Sequence, residues 1–399
     1  MQIKTKTPLV NNEVKPILNE QVLTLSLESN EFICNKNQAL VWALCVGGFS
    51  TVEQIIFQLN TLEEFKSEAS IEDSAVQIIE AFEEIKFLTL FENEQPEYPT
   101  DLAQFSHIFS SRGGVYGLNN NGFKRLANGM FFGLSFDDTN NLLAFDFPHL
   151  ISSQWRVLFG DAKRVLDSNE GTLVRLKVND GIMISQEIGF TGLANNCHYV
   201  VRENDYYYAV DTERQSILRV SDKNDIDLIN VFDADDNYYH INALVKFKEK
   251  WLLMKSVSSM SNLDSSFAIF DDQWSLIEEI DLPAERAHDF LILDSSNSDE
   301  PEFWYCDSNS NQIKHYPSGD SIPVTPHIKA NNTTRGLSET DQHWVVGNGR
   351  YGRYYAHHAE PELLGAISFI NKLTHNVDHH VLVPEAPCCI VKNPWSKNI

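Results

Sequence analysis

Basic residues are scarce in this chain: 31 Lys and Arg stand against 56 Asp and Glu, for a formal charge of -25. A surface so acidic repels nucleic acid and anionic lipid, which excludes both as expected partners and suits a basic ligand. Cysteine is sparse as well. The six residues Cys34, Cys45, Cys197, Cys306, Cys388 and Cys389 are scattered over 399 positions, which is not a disulfide scaffold, and all are expected reduced. No apolar run approaches the ~18–20 residues of a membrane span, and Met1 to Lys6 lead into a polar segment instead of a signal-peptide core, so a cytoplasmic location is expected. There is no phosphate loop, nucleophile elbow or Cys-x-x-Cys pair, which disfavours nucleotide use, serine hydrolysis and structural zinc fingers.

Core-forming residues are plentiful. Hydrophobic residues make up 42% and aromatics 11%, enough for large cores, and the length favours two or more domains. Residues 1–16 show no periodicity and read as an arm. Val22 to Leu27 alternates and Glu31 to Cys34 follows a Glu28-Ser29-Asn30 turn, which predicts a hairpin. Helical spacing then places Ala39, Leu40, Ala43 and Leu44 on one face before Gly47-Gly48, and Ser50-Thr51-Val52-Glu53 reads as a capping box opening a second helix through Ile55, Ile56 and Leu59. A third helix from about Ile71 to Phe87 carries Ala75, Ile78, Ile79, Phe82 and Ile85 along one stripe.

Past a Pro-containing acidic linker at 93–104, short β-rich runs recur between Asp, Asn and Gly turns, and helical periodicity nearly vanishes. Three of these runs open on His198, His240 and His288, spaced 42 and 48 residues apart, and Arg335 opens a fourth 47 residues later. That period is the ~40–50 residues of a four-stranded propeller blade. Phe132-Gly133-Leu134-Ser135 repeats Arg335-Gly336-Leu337-Ser338 at three of four positions, and Cys388-Cys389-Ile390-Val391 begins like another inner strand. Six blades follow, the last completed by chain before Phe132, including Gly113 to Leu118.

Strand starts on adjacent blades ring one mouth of a channel. Three neutral imidazoles there, His198, His240 and His288, suit an open metal site, with Fe or Cu favoured and Zn possible. Period-two alternation turns Asn242 toward the same channel and Asp289 away from it. Arg335 would orient a carboxylate or carbonyl, and Cys388 completes the ring as a soft ligand, so Arg335, Asn242 and Cys388 join the candidate catalytic set. The competing reading makes all three histidines structural, bonded to neighbouring blades. His357-His358 and His379-His380 read as surface residues in polar connections, and Tyr206-Tyr207-Tyr208 as a blade strand.

Two resemblances add to this. Strand Phe32-Ile33-Cys34, turn Asn35 to Ala39, the glycine pair and Ser50 to Ile55 resemble a PqqD-like winged-helix module over residues 15–92. That likeness implies a domain at 1–92 that binds the leader of a ribosomal precursor peptide as an added strand, with Phe32, Ile33, Cys34, Ile78 and Phe82 as contacts. A DNA-binding winged helix is the rival, disfavoured by carboxylates on the third helix. Residues 105–399 resemble bacterial six-bladed propellers of unassigned activity through Cys197-His198, Tyr239 to Ala243, Ala287-His288-Asp289 and Thr334 to Leu337, departing from them in having Ala287 where a proline is expected. The fold class expected is therefore multidomain, a small α+β winged helix followed by an all-β propeller. The expected function is maturation of a ribosomally synthesised peptide, with metal-dependent and preferably oxidative modification of the core segment. The alternative is a non-catalytic scaffold that presents the precursor to a partner maturase.

Overall fold

The computed structural model describes residues 3–397 apart from 5, 12, 20–21, 48–50, 62–69, 93–95, 112, 130, 138, 147–170, 194–196, 213, 224, 234–238, 257–263, 294–298, 325–332, 350–355, 358–359, 362–364 and 385. The chain begins with β1 (Lys6–Val10), β2 (Lys15–Asn19), β3 (Val22–Leu27) and β4 (Asn30–Cys34), then α1 (Lys36–Gly47), α2 (Val52–Thr61), α3 (Ile71–Glu84) and β5 (Leu88–Glu92). The hairpin β3–β4 closes on the pair Leu27 and Asn30, with Glu28 in the turn at φ 56. Helix α1 is opened by a reciprocal cap in which the Gln38 N–H donates to Asn35 Oδ1 and the Asn35 N–H to Gln38 Oε1, each at 2.9 Å. Ser70 caps α3 by accepting from the Asp73 N–H at 3.2 Å. Ser50, the expected cap of α2, lies outside the described residues. Leu40, Trp42, Ile55, Leu59, Ile79 and Phe82 share one buried cluster, on which Phe32 closes edge-on against Phe82 and Phe87.

Two expectations are corrected here. The expected arm is strand: β1 pairs antiparallel with β5, and β2 extends the hairpin into a β2-β3-β4 meander. Strands that pair through their backbones at a sheet edge need no alternating side chains, so residues 1–16 gave no periodic signal. The winged-helix fold class is also overturned. A wing is a hairpin placed after the third helix, yet β5 follows α3 and returns to β1, and the meander precedes all three helices. The chain as a whole is mostly β-strand.

Six sheets make a propeller-like ring. Their innermost strands are Phe131–Phe136, Cys197–Glu203, Ile241–Phe247, Ala287–Ile292, Thr333–Glu339 and Cys389–Lys392, and these define blades 1 to 6. Each blade continues outward through antiparallel neighbours, and blade 1 gains a short edge strand at Thr100–Asp101. Blade 6 joins the two ends of this part of the chain: Cys389–Lys392 pairs with His107–Ser111, which continues into Gly114–Asn119 and Gly122–Ala127. Each inner strand packs on the next, and that of blade 6 packs on those of both blade 5 and blade 1. Closure of this kind leaves the ring no open seam at its centre. Apolar layers between blades hold it, as where Phe267, Phe290 and Phe303 meet at centroid separations of 4.9–6.4 Å between blades 3 and 4. Burying one such ring is worth roughly 1.5–3 kcal/mol.

Candidate functional site

Five of the six inner strands begin with a break in register, between Phe131 and Leu134, Cys197 and Tyr199, Ile241 and Ala243, His288 and Leu291, and Thr334 and Leu337. At these breaks the backbone is left-handed at His240 (φ 45), Asp289 (φ 64) and Gly336 (φ 79). A β-bulge re-aims the side chains beside it, so period-two alternation fails at the channel mouth. Gly336 is needed there: a Cβ would lie 2.8 Å from Ile390 Cγ1 in a conformation that L side chains rarely adopt.

The structure does bring His198, His240 and His288 together. The His198 ring stacks on Phe132 at 4.7 Å, His240 meets it edge-on at 5.0 Å, and His288 lies 6.2 Å from His240. Arg335 joins them, with Nη2 3.4 Å from His198 Nδ1 and its guanidinium over the Phe132 ring. A guanidinium only donates, so His198 Nδ1 is the accepting nitrogen and Nε2 carries the proton. His288 is fixed the other way. Ser308 Oγ donates to the Thr334 carbonyl at 2.7 Å and therefore accepts from His288 Nδ1 at 2.9 Å, which leaves Nε2 with the lone pair. Burial pushes the His240 pKa down to about 3, aided by Arg335 and Arg286, and burial with Arg335 drives His288 well below the ordinary imidazole range. Both rings are neutral at pH 7.

Next to the imidazoles, Asp289 of blade 4 accepts from the Gly336 N–H of blade 5 at 2.8 Å, and its charge is felt by Arg335 of blade 5, Tyr199 of blade 2 and Cys389 of blade 6. Burial raises its carboxyl pKa, while Arg335, the Gly336 N–H and Cys306 oppose that rise. Tyr199 packs against the apolar clusters of several blades and plugs the axis.

Three sequence assignments change. Asp289 faces the channel, because its bulge reverses the expected alternation. Asn242 is not a free channel group: its Nδ2 donates to the Ala287 carbonyl at 3.0 Å and staples blade 3 to blade 4. Cys388 packs in the apolar cluster of Phe132, Leu193 and Cys197, and its neighbour Cys389 is the thiol near Asp289. Burial pushes Cys389 up to about 12, so it is a protonated thiol at neutral pH. Among the described residues no group of three or more His, Cys, Asp or Glu side chains is placed to hold a metal ion. At the histidine ring, His198 presents an N–H and His288 a lone pair toward the mouth. Elsewhere, His379 and His380 belong to strand Val377–Val383 of blade 5 and not to a connection, and His358 lies outside the described residues.

The other expected contact surface is in the helical part of the chain. Ile33 is 70% exposed on edge strand β4, Phe32 and Ile78 are half-buried against the core, and Cys34 and Phe82 are buried. Thus Ile33 is the one of these five that stands open.

No protein-family model and no curated protein matches the sequence. Solved structures of similar shape include a nidogen/laminin complex, with 7% identity and TM-score 0.48 over 71% of this chain and 97% of that one. A putative gluconolactonase has 10% identity and TM-score 0.43 over 71% and 89%. A catalytically inactive virginiamycin B lyase from Staphylococcus aureus, with quinupristin, has 9% identity and TM-score 0.38 over 87% and 93%. At these values the likenesses carry no chemistry to this chain.

Proposed function

We propose that this protein binds a ribosomally made precursor peptide as an added strand on the outer edge of β4 and presents its core segment to a partner maturase. This reading keeps the leader recognition implied by the PqqD-like resemblance, without the winged-helix topology. One observation carries it. A two-residue hairpin closes on a hydrogen-bonded pair, here Leu27 with Asn30, so along β4 the N–H and C=O groups of Phe32 and Cys34 point to β3 while those of Glu31 and Ile33 point outward. No further strand pairs with that edge among the described residues, and the exposed Ile33 shows that its side-chain face is open as well. An open edge supplies main-chain affinity for an extended peptide, and neighbouring side chains set register. At the channel mouth, Arg335 and the His198 Nε2–H supply donors for a carboxylate or carbonyl of the core segment.

The test uses synthetic leader peptides from small open reading frames adjacent to the gene. Ile33→Pro removes an outward N–H and leaves the internal ladder intact, so the fold should persist while peptide affinity falls about tenfold or more, the loss of one hydrogen bond plus the ring's clash with an added strand. Unchanged affinity for every peptide that binds wild type would remove β4 as the binding edge.

A second reading has one observation in its favour. Ser308 orients His288 as an outer hydrogen-bond partner orients a metal ligand. In that reading His198, His240 and His288 hold Fe, Cu or Zn for core-peptide oxidation, and Arg335 must leave His198 Nδ1 for the ring to turn its lone pair inward.

A further inference from the structure

At the end of the propeller opposite the histidine mouth, a cleft of roughly 510 Å³ opens between blades 5 and 6. Its position follows from strand direction. The inner strand that starts near Arg335 runs down to the Thr340–Gln342 turn, and that of blade 6 runs down to Lys392 and Asn393, and all of these line the cleft. Its size is that of a small-molecule site.

One wall is a row of rings. His379 stacks on Phe369 at 4.2 Å, while His343 and His107 meet Phe369 edge-on at 6.0 and 6.4 Å. Two of these imidazoles are committed to the protein. His107 bonds Ser106 Oγ and the Glu339 carbonyl, and His343 Nε2 lies 2.8 Å from Asp378 Oδ2. His379 is not: its Nε2 is buried and has no hydrogen-bond partner among the described residues. A buried polar atom left so is unfavourable, and a hydrogen-bonding occupant of the cleft would offset that.

The charges at the rim are one of each sign. Lys392 and Asp341 line the cleft, and neither forms an ion pair with the other or with another described residue. The neighbouring carboxylates Asp378 and Glu339 are already engaged, by His343 and Lys372. A monoanion would meet Asp341 unbalanced, and a monocation would meet Lys392 unbalanced. A ligand bearing both signs satisfies both.

We propose that this cleft binds a small zwitterion, a free α-amino acid or short peptide, with its carboxylate toward Lys392, its ammonium toward Asp341, a polar atom on His379 Nε2 and its side chain against the ring wall. The site is independent of the β4 edge and of the histidine mouth. The test is calorimetric titration of the full chain with L-phenylalanine, phenylacetate and phenethylamine. L-Phenylalanine should bind at least about fivefold tighter than either singly charged probe, the discrimination expected of two partly exposed charge contacts. Lys392→Met should erase the preference over phenethylamine, and Asp341→Asn the preference over phenylacetate. Equal affinity for the three probes, or no saturable binding of L-phenylalanine, overturns the assignment. His379→Leu separates a specific site from a nonspecific one: weaker binding with the fold retained supports it, and unchanged binding contradicts the role of His379 Nε2.

Discussion

Lowering the pH should destabilise this protein steeply between pH 6.5 and pH 4, because three histidines are held neutral inside it. His240 is pushed down to about 3 and His107 to about 4, in each case mainly by burial, and His288 lies well below the ordinary range. The sign follows from proton counting. Between the folded and unfolded values the unfolded chain binds protons that the native chain refuses, so stability rises with pH through that window and is lost as pH falls. At pH 5 the unfolded imidazoles of His240 and His107, with pKa near 6.5, are almost fully protonated and the native ones almost bare, so these two protons give a slope of ~3 kcal/mol per pH unit, and His288 adds in the same direction. Integrated from pH 7 to pH 5, His240 and His107 each remove about 2 kcal/mol, on the order of 4 kcal/mol together. That is a large share of the stability of a typical domain. Asp289 works in the opposite direction, since its raised carboxyl pKa makes the native chain the stronger proton binder just above the usual carboxylate range. The assay is urea unfolding of the full chain at pH 7, 6 and 5, followed by tryptophan fluorescence. His240→Asn should lower the slope by one proton. A wild-type slope below one proton per molecule at pH 5 would refute the burial of these imidazoles as neutral groups.

Two further predictions bear on the channel mouth. Arg335→Met removes a positive charge that contributes to the depressed values of both His240 and His288, so their imidazole resonances should titrate at higher pH than in wild type, and unmoved titrations would place the guanidinium elsewhere. Protein loaded with Fe, Cu or Zn and then desalted should retain less than one equivalent, because Arg335 donates to His198 Nδ1 and must withdraw before that ring can turn a lone pair inward. Stoichiometric metal that His288→Ala abolishes would instead support the metal-dependent reading.

The blade architecture was legible because a repeat of ~40–50 residues is a backbone-level signal. His198, His240, His288 and Arg335 each open an apolar run, and side chains at equivalent positions of adjacent blades must converge. What alternation could not give is the direction of each side chain at a bulge. Asp289 and Asn242 were each assigned by counting from a histidine, and the left-handed backbone at His240 and Asp289 breaks that count. A weak signal for Asp289 was present in the sequence: Gly336, one residue past Arg335, marks a place where one inner strand offers its bare N–H to the next. Tyr199 was missed because it sits between two residues of strand composition and nothing local distinguishes an axial plug from a blade side chain. In the first 92 residues the helices and the hairpin announced themselves by periodicity and turn chemistry, and Asn35 with Gln38 caps the first helix at the turn that opens it. The pairing of β1 with β5 joins residues some eighty positions apart and left no mark on either.

The most direct test of peptide capture at β4 is residue-resolved amide hydrogen exchange of the full chain, with and without a leader peptide that binds. An added strand should slow exchange at the Glu31 and Ile33 amides, which face outward, and leave Phe32 and Cys34, already bonded to β3, nearly unchanged. Protection confined to the propeller, or none at Glu31 and Ile33 under saturating peptide, would contradict the account.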